Sequence, residues 1–270
     1  MSVVACLDLD RTLIYSANAL DLRVPDAQAP RLLCVELYQG VPLSFMTEES
    51  AAELEKLAAE ATIVPTTTRT PEQLGRVHLP GPAARYAIAS NGAHLLVDGV
   101  PDPVWTAAVR ARLTDCAPLA EVAARFEATS GPFVLKLRIA GREFVYAVVE
   151  RAQVPDGWVA DLAAWCAPRG WRVSLQGRKV YAVPEPLTKS AAAREVLRRT
   201  GGGTLLAAGD SLLDADLLEA ADAAIRPAHG ELADTGWIRP HVAVTAARGG
   251  WAGAEILAWL RERSAATVTG

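Results

Sequence analysis

Four short groups of residues in this 270-residue chain carry side chains that could do chemistry together. The first is Asp8-Leu9-Asp10-Arg11-Thr12, which follows the apolar run Val3 to Leu7. Two carboxylates two residues apart, in a turn beyond a buried strand, can converge on one cation, although an isolated Asp-x-Asp is also common in surface turns and helix caps. The second is Thr66-Thr67-Thr68-Arg69, after the run Ala61 to Pro65. Hydroxyls between a strand end and a helix can hold phosphate oxygens with the help of backbone N–H groups, or can simply cap the helix. The third is Lys189, one residue past the capping residue Thr188. The helix dipole disfavours a cation in the first turn, so a lysine there is slightly out of place. The fourth is Gly209-Asp210-Ser211-Leu212-Leu213-Asp214, directly after the apolar run Thr204 to Ala208. It places Asp210 at a strand end and Asp214 four residues on, inside the next helix. That spacing points two carboxylates at a common point, the hard-oxygen environment magnesium prefers.

The elements that must position these groups follow from pattern. Val3 to Leu7, Ala61 to Pro65, Tyr86 to Ala89, Thr204 to Ala208, Ala223 to Arg226 and His241 to Thr245 are short apolar runs of the kind found in buried parallel strands. Helices are expected between them. Thr47 with Glu48 and Glu49 makes an N-terminal cap, Thr70-Pro71-Glu72-Gln73 reads as a capping box with proline at the first helical position, and Thr188 opens a helix to about Arg199. Arg31 to Met46 reads as a hairpin turning at Gln39-Gly40. From Asp98-Gly99 onward the rhythm changes to helices and hairpins without parallel crossovers: helix over Val104 to Phe126 broken at Pro118, hairpins turning at Ala140-Gly141 and Gln176-Gly177-Arg178, and a helix over Pro155 to Pro168. Trp158, Trp165 and Trp171 in this stretch are expected to fill its core. The expected architecture is α/β: a doubly wound, Rossmann-like parallel sheet over 1–93 and 177–270, interrupted by an α+β cap domain over 94–176. The residues after Arg263 are expected to fray.

Bulk composition narrows the class. Hydrophobic residues make up 51% and charged residues 21%, enough apolar content for a substantial core and too little charge for a disordered chain. A net charge of −4 and a pI near 5.7 give no general attraction to nucleic acid or to anionic membranes. No apolar run approaches a membrane span, and no signal peptide is visible, so a cytoplasmic enzyme is expected. The four cysteines, Cys6, Cys34, Cys116 and Cys166, are scattered with no C-x-x-C pair and read as free thiols. The turn after the first strand holds no G-x-G-x-x-G, which disfavours a dinucleotide-binding oxidoreductase.

In their order along the chain, the four groups resemble the four motifs of the haloacid dehalogenase (HAD) superfamily of phosphatases. Asp8-Leu9-Asp10-Arg11-Thr12 matches motif one, Thr67 motif two, Lys189 motif three, and Gly209-Asp210 with Asp214 motif four. The insertion between motifs two and three, preceded by Ser90-Asn91-Gly92-Ala93, resembles the branch with a type-2 cap. That branch includes Cof-like, sucrose-phosphate, trehalose-phosphate and mannosylglycerate-phosphate phosphatases. The chain departs from it at two places: Thr67-Thr68-Arg69 stands where Thr-Gly-Arg is usual, and Leu213 where Asn often precedes the last acidic residue. Neither departure removes a catalytic group. The hairpin before the first long helix is also longer than that branch leads one to expect.

The resemblance implies a magnesium-dependent phosphatase. Asp8 is the expected nucleophile, forming an aspartyl-phosphate, and Asp10 the expected acid and base, a role that near neutral pH needs a raised carboxyl pKa. Thr67 and Lys189 are expected to hold the transferring phosphoryl oxygens. The metal is expected on Asp8, the backbone carbonyl of Asp10, and Asp210, with Asp214 direct or through water. Expected substrate contacts are Thr12, which also supports the loop, Thr68, Arg69 and Asn91 from the core rim, and Lys136, Arg138 and Arg178 from the cap. The implied partner is a small phosphorylated metabolite, a sugar or polyol phosphate first. A nucleotide-like biosynthetic intermediate, a phosphotransferase or mutase reaction, and a binding module without turnover are the alternatives. The oligomeric state is left open.

Overall fold

Val3–Leu7 (β1) contains no charged residue and is buried along its whole length, as a strand covered on both faces must be. In this computed structural model, which describes residues 2–269, a hairpin of Leu32–Tyr38 (β2) and Val41–Thr47 (β3) follows β1 after a long loop. Gln39 and Gly40 at its turn both have positive φ, the requirement of the tight hairpin turn expected there. Thr47 then accepts a hydrogen bond from the Ser50 N–H and starts Glu48–Glu60 (α1). Thr62–Pro65 (β4) and Pro71–Leu74 (α2) come next, the latter opened by the complete Thr70/Gln73 capping box. Tyr86–Ala89 (β5), His94–Val97 (β6) and Val100–Pro101 (β7) form a small antiparallel sheet.

Pro103–Arg112 (α3), Leu119–Thr129 (α4), Val134–Ala140 (β8), Phe144–Val149 (β9), Trp158–Cys166 (α5), Trp171–Gln176 (β10) and Lys179–Pro184 (β11) make a separate compact unit. Its sheet runs β10-β11-β9-β8, all antiparallel. Trp158 and Trp171 are buried and each indole N–H donates to a backbone carbonyl, of Thr129 and Ala117. Trp165 departs from the core expectation. It is only half-buried, with the Arg169 guanidinium 3.8 Å above its ring.

The chain returns through Lys189–Arg199 (α6), Thr204–Ala208 (β12), Ala215–Ala220 (α7), Ala223–Arg226 (β13), Glu231–Asp234 (α8), Val242–Val244 (β14) and Ala252–Thr269 (α9). The main sheet has five strands in the order β14-β13-β12-β1-β4, every pair parallel. α1 and α9 pack together against it, and α6 and α7 form the other helix pair on β12. This is the doubly wound arrangement expected, except that Tyr86–Ala89 pairs antiparallel with β6 instead of joining the main sheet. The compact units are Met1–Pro101 with Lys189–Gly270, and Asp102–Thr188, so their borders lie beyond the 93/94 and 176/177 positions expected from sequence. The cause is strand pairing: β6 completes a sheet begun by β5, and β11 sits between β9 and β10. The last helix also continues beyond Arg263, because Leu257, Leu260 and Ser264 keep one face of it buried.

Leu54 and Leu57 of α1 share a core with Ile256, Leu257 and Leu260 of α9. Replacing the fully buried Leu57 in Leu57→Ala is expected to lower unfolding free energy by about 2–5 kcal/mol, since the cavity cannot collapse between two helices held on a sheet. Urea denaturation measures it, and a change below about 1 kcal/mol would show that α1 is not part of the main core.

Candidate active site

β1 and β12 run parallel in register, with Leu7 opposite Ala208, so the residues that leave their carboxyl ends emerge side by side. Asp8 keeps the register by donating its N–H to the Ala208 carbonyl (3.0 Å), and Thr66 does the same to Leu7 from the other flank (2.8 Å). This brings Asp8, Asp210 and Asp214 together. All three are buried, and a carboxylate oxygen of each lies within 4.8 Å of the others.

The turn after β1 is wound by Thr12, Leu13 and Ile14, whose N–H groups all donate to the Leu9 carbonyl. Arg11 sits in it with φ at 67°, a left-handed conformation uncommon for a side-chain-bearing residue. His229 fastens the strained residue. Its Nδ1 accepts from the Gly249 N–H (3.1 Å), so its proton is on Nε2, which donates to the Arg11 carbonyl (2.8 Å). Burial lowers the His229 pKa to about 4, keeping the ring neutral in this role.

Each Asp8 oxygen has a donor: Lys189 Nζ at 2.7 Å from Oδ1 and the Thr12 hydroxyl at 3.0 Å from Oδ2. The Lys189 ammonium is fully buried and also donates to Asp214 Oδ1. Asp214 Oδ2 accepts from both the N–H and the hydroxyl of Ser211, at 2.9 and 2.6 Å. Asp214 occupies the N-cap position of α7, just outside the helix body in which it was expected. Gly209 permits its approach, because a Cβ there would meet the Asp214 Cβ at 2.4 Å. Gly230, at φ 93°, likewise leaves room for Asp210, whose Oδ2 would lie 2.5 Å from an added Cβ. Arg11 Nε stands 3.2 Å from that same Asp210 oxygen.

The charge balance is uneven. Burial, then the Asp214 charge, raise the Asp8 pKa to about 7 against the pull of Lys189. Burial, then Asp8 and Asp214, push Asp210 well above the ordinary carboxylate range. Burial works against the Lys189 charge, and Asp214 and Asp8 more than reverse it, so the ammonium stays protonated. Three crowded buried carboxylates exceed what one lysine and a half-buried arginine neutralise. Hard oxygens of this kind, close enough to share one ion, fit a small divalent cation.

Thr67 is buried on the neighbouring turn. Its N–H donates to the Ile88 carbonyl and its hydroxyl accepts from the Arg69 N–H at 3.1 Å. Ser90 and Asn91, both at positive φ, grip this turn through their N–H groups, to the carbonyls of Arg69 (2.7 Å) and Thr67 (3.0 Å). Asn91 is thus placed under the turn by its backbone, and Thr68 is buried beside it. Arg69 makes a two-pronged ion pair with Asp10, Nε to Oδ2 at 2.7 Å and Nη2 to Oδ1 at 2.8 Å. Asp10 therefore faces a guanidinium, where an acid near neutral pH calls for surroundings that disfavour its charge.

The residues expected on the cap lie in the second unit. Lys136 and Arg138 are exposed on β8, paired with Val148 and Tyr146 of β9. Next to them in the sheet, Tyr146 and Tyr181 stand with ring centroids 5.3 Å apart and Lys179 Nζ is 5.8 Å from the Tyr146 ring. Arg178 is at the hairpin turn, its Nε 3.4 Å from the Val149 carbonyl. In the first unit, a cavity of about 350 Å³ lined by Leu54, Ile63, Leu74, Val77 and Leu96 is apolar and holds none of the carboxylates. Cys6 lies behind Asp8 with its thiol pushed up to about 12 by burial, which leaves it unreactive. Sequence reading missed Glu36, Ser44, Ser211 and His229. Ser211, lying inside the Gly209–Asp214 group, is the one whose position gave a signal.

No protein-family model and no curated protein matches the chain. Solved structures do. The sucrose-phosphatase of Synechocystis sp. PCC6803, solved with sucrose and phosphate, aligns over 96% of this chain and 98% of its own at 13% identity, with a TM-score of 0.65. The chain shares its fold with that structure. A sugar phosphatase of HAD subclass IIB aligns over 98% of this chain and 100% of its own at 12% identity and a TM-score of 0.58. The C-terminal domain of the C. albicans trehalose-6-phosphate phosphatase aligns over 97% and 93% at 11% identity and 0.57.

The crowded carboxylates have a measurable consequence. The Asp8 pKa is raised from 3.8 to about 7, so its contribution to stability is full below about pH 4 and is lost as pH rises through about 7. Protein freed of metal should therefore lose thermal stability between pH 5 and 8. Magnesium, binding the ionised form, should restore it, by about 5–10 °C at a concentration a hundred-fold above Kd and more at high pH than at low. Scanning calorimetry with EDTA or magnesium across that range tests this. A magnesium effect that is absent or independent of pH counts against a cation held by these carboxylates.

Proposed function

We propose that this protein is a magnesium-dependent phosphatase acting on a small phosphorylated metabolite through an aspartyl-phosphate at Asp8. The observation that carries the reading is the convergence of Asp8, Asp210 and Asp214 on one point at the carboxyl edge of the parallel sheet, with Lys189 buried between two of them. The shared fold supports it, and so do the activities of the sucrose-, trehalose-6- and sugar-phosphate phosphatases that share it. On the same ground the substrate is a sugar or polyol phosphate.

Each residue then has a task. Lys189, kept protonated by its two carboxylates, moves its third donor to a phosphoryl oxygen. Thr67 already accepts from the Arg69 N–H, which turns its hydroxyl proton outward as a second donor. A carboxylate oxygen of Asp8 forms a bond to phosphorus as the bond to the leaving oxygen breaks, and Asp10 gives that oxygen its proton. Asp10 next takes a proton from water, whose oxygen bonds to phosphorus and releases inorganic phosphate and free Asp8. The carboxylates of Asp8 and Asp210 and the carbonyl of Asp10 would hold magnesium, which when bound would offset the repulsion between Asp8 and the phosphoryl group. Asp214, with both oxygens engaged by Lys189 and Ser211, acts chiefly by holding Lys189. Both oxygens of Asp10 are held by Arg69. As acid, Asp10 needs Arg69 to yield one of them.

Purified protein, magnesium and a panel of sugar, polyol and nucleotide phosphates should release inorganic phosphate, with a sugar or polyol phosphate preferred. Asp8→Asn should lower the rate at least about a thousand-fold, because it removes the group that bonds to phosphorus. Equal rates in the two proteins, or a rate indifferent to EDTA, would sink the mechanism.

A further inference from the structure

We propose that Glu36, on the hairpin between β1 and α1, is the positioning residue for Asp10, acting through Arg69. This rests on the phosphatase reading above. The hairpin is outside the main sheet, and its pairing slips on both sides of Glu36, between Cys34 and Glu36 and between Glu36 and Leu37. Such bulges re-aim side chains. Simple alternation would turn one of two neighbours outward, yet Val35 and Glu36 are both buried. The Glu36 carboxylate has no exposed surface at all.

A carboxylate so placed is stable only if it is fully engaged. Its Oε2 accepts from the Ser44 hydroxyl at 2.6 Å and lies 2.8 Å from Arg69 Nη1, and its Oε1 accepts from Arg76 Nε at 3.3 Å. Arg69 is thereby used on two sides. Nε and Nη2 form the fork that holds both Asp10 oxygens, Nη1 meets Glu36, and Nη2 also reaches the Ser44 hydroxyl at 3.3 Å. A guanidinium is planar and rigid, so fixing Nη1 fixes the direction of the opposite fork. Asp10 is partly exposed in its turn, whereas Arg69 and Glu36 are packed. Orientation passes from the buried hairpin carboxylate, through the arginine, to the acid–base group.

The rival is that Glu36 merely staples the hairpin to the core. Leaving-group chemistry separates the two. An alkyl phosphate needs its leaving oxygen protonated as the bond breaks, and 4-nitrophenyl phosphate does not. The value of kcat/KM reports only steps up to the aspartyl-phosphate, so it isolates the acid role of Asp10. In Glu36→Gln, kcat/KM for the best alkyl phosphate of the panel should fall roughly ten-fold or more beyond any fall for 4-nitrophenyl phosphate. Ser44→Ala, a smaller change to the same contacts, should shift the ratio in the same direction and carries the test if Glu36→Gln does not fold by circular dichroism. Equal falls for both esters, or no fall, overturn the proposal while leaving the phosphatase intact. Wild-type turnover of the aryl ester alone overturns it too, since no acid step is then present to support. A wild type inert on both esters removes the phosphatase reading and this proposal together.

Discussion

A fully buried ammonium between two buried carboxylates is the constraint around which the parallel-sheet unit of this protein is arranged. Taking Lys189, Asp8 and Asp214 out of water costs several kcal/mol per ion unless the geometry is good and the remaining lone pairs are occupied. Each requirement is met by a specific device. The parallel register of β1 and β12 sets Asp8 beside the Gly209-Asp210 turn, the start of α6 delivers Lys189, and Ser211 covers the oxygen of Asp214 that Lys189 leaves. Gly209 and Gly230 stand where a side chain would strike Asp214 or Asp210. The dipole penalty for a lysine in a first helical turn is overcome because it meets two anions at short range.

Around this centre the supporting contacts come from segments far apart in the chain. His229, neutral and buried, ties the strained Arg11 to the Gly249 backbone. The turn at Ser90 and Asn91 holds the carbonyls of Thr67 and Arg69. The β2–β3 hairpin contributes Glu36 and Ser44 to the Arg69 contacts. The hairpin thus brings a buried carboxylate to the arginine that faces Asp10. Arg69 divides its donors between Asp10 and Glu36.

The second unit obeys different rules. Its antiparallel sheet has one face filled by residues such as Val145, Ala147, Val180 and Ala182, all without exposed surface, while the alternate positions carry Lys136, Arg138, Tyr146, Lys179 and Tyr181. Cations and tyrosines thus share one face, and the pleat fixes which residues lie on it.

The sequence by itself determined the parallel sheet, the separate helix-and-hairpin unit, and the four groups of reactive residues. Those depend on local signals: apolar runs, capping boxes, turn residues, and polar groups placed directly after strands. The convergence of Asp8, Asp210 and Asp214 was legible because strand ends of one parallel sheet share an edge. Asp10 was legible as a residue but not in its environment, and neither the bulge at Glu36 nor the tautomer of His229 left a mark in the pattern. A charged residue on a hairpin reads as solvent-facing, and only the tertiary structure decided otherwise. It did so because a slip in strand pairing, invisible to periodicity, turned Glu36 inward, and because ion pairs between distant segments depend on where the backbone brings them, not on their spacing in the chain.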